Sequence, residues 1–124
     1  MYCHADAAVA EEQGLEYMTN YFLTIVRHYE IMSDHFKGTP GYDSYATAAD
    51  AFKAVGLEVA ARAYCSVNSW GTPDRLIEQL RKRRELIGPF ELNLIASYGG
   101  MPIEAADESL TLFAREVLPE LQRW

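Results

Sequence analysis

Three histidines, two cysteines and two glycine-bearing corners are the residues of this sequence best suited to chemistry, and their spacing narrows what that chemistry is. His28 and His35 stand seven residues apart, two helical turns or about 10 Å, too far to share a metal ion without ligands from other elements. His4 ends a short apolar run, Tyr2 to Ala5, and an imidazole at the end of a strand can give or take a proton near neutral pH. Cys3 and Cys65 form neither a CxxC pattern nor a disulfide-dense framework, so both are expected as reduced thiols, with Cys65 packing as a small hydrophobe. No Ser/His/Asp spacing, nucleophile elbow, complete dinucleotide fingerprint or phosphate loop occurs.

The corners carry more. Ser69-Trp70-Gly71-Thr72-Pro73 and Ser97-Tyr98-Gly99-Gly100-Met101-Pro102 both read serine, aromatic, glycine, then proline, and each is followed by an acid, Asp74 or Glu104. Repeated at about thirty residues, strand, corner and helix spell a βα unit, whose strands lie parallel. Ligands of such folds bind where strands end and helices begin. Glycine there lets the backbone approach a ligand, and free helix N–H groups favour an anion. Glycine and proline also make turns that bind nothing.

Elements must hold these corners in place. Asp6 is a good N-cap for a first helix, whose stripe of Leu15, Met18, Phe22, Ile25, Tyr29 and Met32 alternates spacings of three and four, with Gly14 as a point of bending or starting. Lys37 to Tyr42 is expected as a loop, Ser44 as the cap of a helix through Ala48, Ala51, Phe52 and Val55, and Leu57 to Ala63 as a second short helical piece. Ala63 to Val67 is expected as a buried strand and Phe90 to Tyr98 as the best strand. Between them, Thr72-Pro73-Asp74 starts a helix that Gly88-Pro89 stops, with Arg81 to Arg84 as a solvated basic face near Glu78 and Glu85. Pro102 opens a final helix through Ala106, Leu110, Phe113, Val117 and Leu121, whose regular part Pro119 is expected to end early.

The 124 residues fit one domain, and a hydrophobic fraction of 49% argues for a globular chain. A net charge of −7 disfavours nucleic acid and anionic lipid as partners. With no membrane-length apolar run and no signal-peptide pattern, a cytoplasmic location is expected. The fold class is expected to be α/β, with two or three parallel strands and flanking helices. Three parallel strands do not close, so an obligate partner, self-assembly or a piece of something longer follows.

Gly71-Thr72-Pro73-Asp74 with Ile77 and Leu80, Ser97 to Pro102, and Leu112-Phe113-Ala114-Arg115-Glu116-Val117-Leu118-Pro119 together resemble the carboxyl-terminal region of luciferase-like flavin-dependent monooxygenases. The similarity extends back through Gly41-Tyr42-Asp43-Ser44-Tyr45 and the long first helix. It implies a partial (β/α) barrel, roughly the last third of a full (β/α)8 barrel, whose family binds reduced FMN or a deazaflavin at the carboxyl rim of its strands. Most of the family's flavin contacts come from earlier strands. By the same resemblance Trp70, Gly71 and Thr72, with Tyr98, Gly99 and Gly100, are the candidate cofactor-binding residues, and 33–62 is a helical, lid-like insertion. The function implied is that of the carboxyl-terminal part of an oxidoreductase using reduced flavin and dioxygen on a small organic substrate. The alternative is a noncatalytic truncated member acting as a homo-oligomeric or partner-binding subunit.

Overall fold

The computed structural model describes residues 1–124, and 65% of them are helical. The elements are β1 (Tyr2–Cys3), α1 (Ala7–His28), α2 (Asp43–Val55), α3 (Leu57–Val67), β2 (Trp70–Gly71), α4 (Pro73–Ile87) and α5 (Ile103–Leu112), followed by a π-helical turn (Phe113–Val117) and α6 (Leu118–Leu121). This corrects the expected partial (β/α) barrel. The only sheet pairs β1 with β2 in parallel, Tyr2 opposite Trp70 and Cys3 opposite Gly71, and each strand is two residues long.

Two segments account for the difference. Ala63–Val67 is the last stretch of α3, because Ala60, Ala61 and Cys65 lie on the face that packs inward, a helical and not an alternating spacing. Phe90–Tyr98 does run without helix, but Phe90 to Ser97 make no backbone–backbone hydrogen bond. Its one polar contact is the Met1 amino group donating to the Ile95 carbonyl at 3.0 Å. Alternating residues favour extension, yet a strand exists only when a neighbour completes its ladder.

The short sheet still organises the interior, since successive strand residues face opposite sides. Tyr2 and Trp70 enter a cluster with Tyr17, Met18, Cys65, Tyr98, Met101 and Ala106, on the side of α1 and α3. Cys3 instead joins Leu76, Leu80, Phe113 and Val117, on the side of α4 and the carboxyl-terminal helices. A third cluster, Phe22, Val26, Ala60 and Ala61, fastens α3 to α1.

Local chemistry explains most helix ends. The Asp6 carboxylate accepts from the N–H groups of Ala8 and Val9 at 2.8 and 3.0 Å, which starts α1. The buried positions of α1 are Ala10, Gly14, Tyr17, Met18, Phe22 and Val26, so the stripe is rotated from the expected one and Leu15 and Tyr29 face outward. Helix α2 starts at Asp43, and Ser44 does not cap it. Although the helical path goes on, the regular part of the final helix ends at Leu112, ahead of Pro119 as expected. The wider π turn ahead of it, from Phe113 to Val117, lets the chain pass a residue that has no N–H to give, and α6 continues through the proline.

Candidate functional site

Both corners close on α1. At the first, the Trp70 indole is 4% exposed and its N–H donates to the Cys65 carbonyl at 2.9 Å. One face of the ring lies against Gly14, where an added Cβ would come within 2.7 Å of it. The Arg75 guanidinium lies over the ring at 4.0 Å, a cation–π contact. Gly14 is therefore neither a bend nor a start of α1 but the gap in its surface that admits tryptophan. Gly71 adopts φ +138, and a Cβ there would meet the Arg75 side chain at 2.6 Å. Thr72 caps α4, its hydroxyl oxygen accepting from the Arg75 N–H at 3.4 Å.

At the second corner Gly99 has φ +63 and lies so close to α1 that a Cβ would fall 2.0 Å from the Tyr17 carbonyl oxygen. The Asn20 amide donates to the Gly99 carbonyl at 3.3 Å. Gly100 also has a positive φ, +78, but nothing stands within 4 Å of its Cβ position. Tyr98 is 8% exposed, edge-on to Tyr21 with ring centroids 5.5 Å apart, and its hydroxyl has no hydrogen-bond partner. Burial pushes that phenol well above the usual tyrosine range. Trp70 and Tyr98 thus belong to one buried cluster, which is how the fold brings the two corners together.

A flavin would need open backbone and a ring-sized face at these positions. The close-approach space at Gly71 is occupied by Arg75 and that at Gly99 by Tyr17, the indole N–H is already used, and Gly100 alone stands open. As the chain stands, the six residues Trp70, Gly71, Thr72, Tyr98, Gly99 and Gly100 do not form a cradle for the cofactor. Sequence reading missed the two residues that fill it, Tyr17 and Arg75, and gave Gly14 another role. A glycine inside an amphipathic helix was the available signal, because it marks a surface made to be approached.

The polar residues beside β1 are tied down as well. His4 sits beyond the strand, its N–H donating to the Gly71 carbonyl at 3.1 Å and its Nδ1 accepting from the Asp6 N–H at 3.0 Å. The Cys3 thiol is buried and pushed up to about 11, chiefly by desolvation, which keeps it protonated at neutral pH. The Cys3 N–H donates to the buried Ser109 hydroxyl at 2.8 Å, which explains a polar residue in the interior. Within the basic run, Lys82 pairs with Glu78 at 2.6 Å, while Arg83 donates to the Val67 carbonyl at 2.9 Å and fastens the link between α3 and β2.

The lid-like stretch is pinned at its base. Asp34 lies 2.8 Å from Lys53 and 3.0 Å from Lys37, and Lys37 also reaches Asp50 at 3.2 Å. Hydrogen bonds from Lys53 and Lys37 lower the Asp34 carboxyl from 3.8 to about 2. A depressed carboxylate stabilises its contacts fully above its ordinary pKa and loses them as pH falls through the folded value. Amide exchange across residues 33–42, taken relative to the intrinsic rate of an unstructured chain at the same pH, is therefore expected to speed up between about pH 4 and pH 2, with little change in global stability because these groups are solvent-exposed. Asp34→Asn should show the faster exchange already at neutral pH.

No protein-family model, curated protein or solved structure matches the chain. No helix is long and apolar enough to cross a membrane.

Proposed function

We propose that this chain is the carboxyl-terminal portion of a luciferase-like flavin-dependent monooxygenase or related oxidoreductase. It works in the cytoplasm with reduced FMN or a deazaflavin on a small organic substrate, once the amino-terminal portion of the enzyme is present. The family assignment rests on the corner and final-helix motifs. The observation that carries the incompleteness is the stretch from Phe90 to Ser97, whose backbone makes no ladder and which exposes Ile95 at 54%. Leu86 and Ile87, at the end of α4 just before it, are 84% and 61% exposed. An extended apolar segment whose N–H and C=O groups no ladder pairs is surface that another part of a protein covers. The flavin is then held by residues that the rest of the enzyme supplies, and this chain orders the two corners and stiffens the wall behind them.

The test is reconstitution. The purified chain is mixed with FMN, then with a separately expressed amino-terminal portion of a luciferase-like enzyme, while FMN fluorescence and particle size are followed. The expected result is quenching only when both portions are present, in a one-to-one complex. A chain that forms a stable homodimer and never supports flavin binding with any added portion would overturn the reading in favour of the noncatalytic subunit.

A further inference from the structure

A groove runs along the surface between α1 and α3, made of two adjoining hollows of about 740 and 520 Å³ that share Leu23 and Leu57. Leu15, Thr19 and Leu23, spaced by four, form its ridge on α1, and Leu57 and Ala61 do the same on α3. Leu15 is 37% exposed, and Leu23 and Leu57 are half-buried. None of these residues belongs to the 86–97 stretch or lines the cleft beside Leu92 to Ile95, so covering that stretch does not by itself cover the groove.

We propose that a second copy of this chain occupies the groove, in a two-fold dimer whose α3 helices pack antiparallel. Charge and area choose that occupant. The chain carries a net charge of −7, so two copies repel over most of their surface. The charged residues of the groove are Arg27, Glu30, Glu58 and Arg62, two of each sign, and a uniformly acidic or basic partner would be repelled by half of them. Glu58 and Arg62 stand one helical turn apart, 2.8 Å from each other and 80% and 78% exposed. A two-fold axis between them sets Glu58 of each copy against Arg62 of the other, so the face is complementary to itself. The exposed area agrees. A compact monomer of 14.0 kDa exposes about 6,700 Å², whereas this chain exposes 7944 Å². The surplus of about 1,200 Å² exceeds the roughly 800 Å² per partner of a standard interface.

Sedimentation equilibrium of the whole chain at low salt tests this, with no flavin or second portion present. The expected result is a reversible dimer with a dissociation constant of about 1–100 µM. Glu58→Arg and Arg62→Glu each place like charges across the axis twice and should weaken the dimer about tenfold or more. An equal mixture of the two variants should restore it as a heterodimer, since every pair is then opposite in sign. Leu86→Asp, at a position 84% exposed and outside the groove, should leave it unchanged. The proposal is overturned by a parent chain that stays monomeric at about 200 µM, by a dimer that Leu86→Asp dissolves and the charge variants do not, or by a mixture that fails to recover. The outcome is separate from the flavin reading, because two copies of each portion keep the one-to-one ratio expected on reconstitution.

Discussion

Gly99→Ala is expected to destabilise the chain by about 3 kcal/mol or more, a large share of the roughly 5–15 kcal/mol that holds a domain of this size together. Two causes add. The residue has φ +63, where an L side chain is strained, and its Cβ would stand 2.0 Å from the Tyr17 carbonyl oxygen and 2.8 Å from the carbonyl carbon. Those atoms belong to the backbone of α1, so relief requires the helix and the corner to part, opening the cluster that holds Tyr17, Tyr98 and Met101. Gly100→Ala is the control, since φ is +78 there and nothing stands within 4 Å. It should cost only about 1 kcal/mol. Urea unfolding reads both, as a drop in midpoint at unchanged slope. Equal losses for the two variants would mean that backbone strain alone, and not the approach to α1, governs the corner.

Trp70→Ala comes second, with an expected loss of about 3–5 kcal/mol. It empties the space between Gly14 and Arg75 and leaves the Cys65 carbonyl without its indole donor. The informative step is the double variant. In the parent chain Gly14→Ala drives a methyl group to 2.7 Å from the indole and should destabilise by about 1–3 kcal/mol. In the Trp70→Ala background that clash is gone, and the same substitution should stabilise by up to about 1 kcal/mol through helix propensity and partial filling of the void. A reversal of sign identifies direct contact between the two positions. Additive effects would show that Gly14 is required for some other reason.

Short-range chemistry was legible, and long-range pairing was not. The Asp6 cap, the Thr72-Pro73-Asp74 start and the Gly88 stop are local events, decided by side chains within a few residues, and each stands where its residue types place it. Ala63 to Val67 was expected as a buried strand, but so short an apolar run has no period that separates strand from buried helix, and packing of Ala60, Ala61 and Cys65 against α1 decided for helix. Phe90 to Ser97 alternates as a strand does, but no rule of sequence supplies the neighbour it would need. The first helix was found, yet its buried face was misjudged, because hydrophobicity pointed to Leu15 whereas Gly14 is the buried position. The corner residues illustrate the same limit. Glycine reports that something comes close to the backbone, and here that neighbour is the side chain of Arg75 or the carbonyl of Tyr17.

The glycine corners of this chain are closed upon its own helices, and under the proposed function any flavin would therefore be held by other parts of a larger protein. The most direct test of that closure is an FMN titration of the isolated chain that follows the amide NMR signals of Gly71, Gly99 and Gly100. Signals that stay in place at saturating FMN are the predicted result. A saturable shift at Gly71 and Gly99 together would contradict it, because those positions would then be open to the flavin after all.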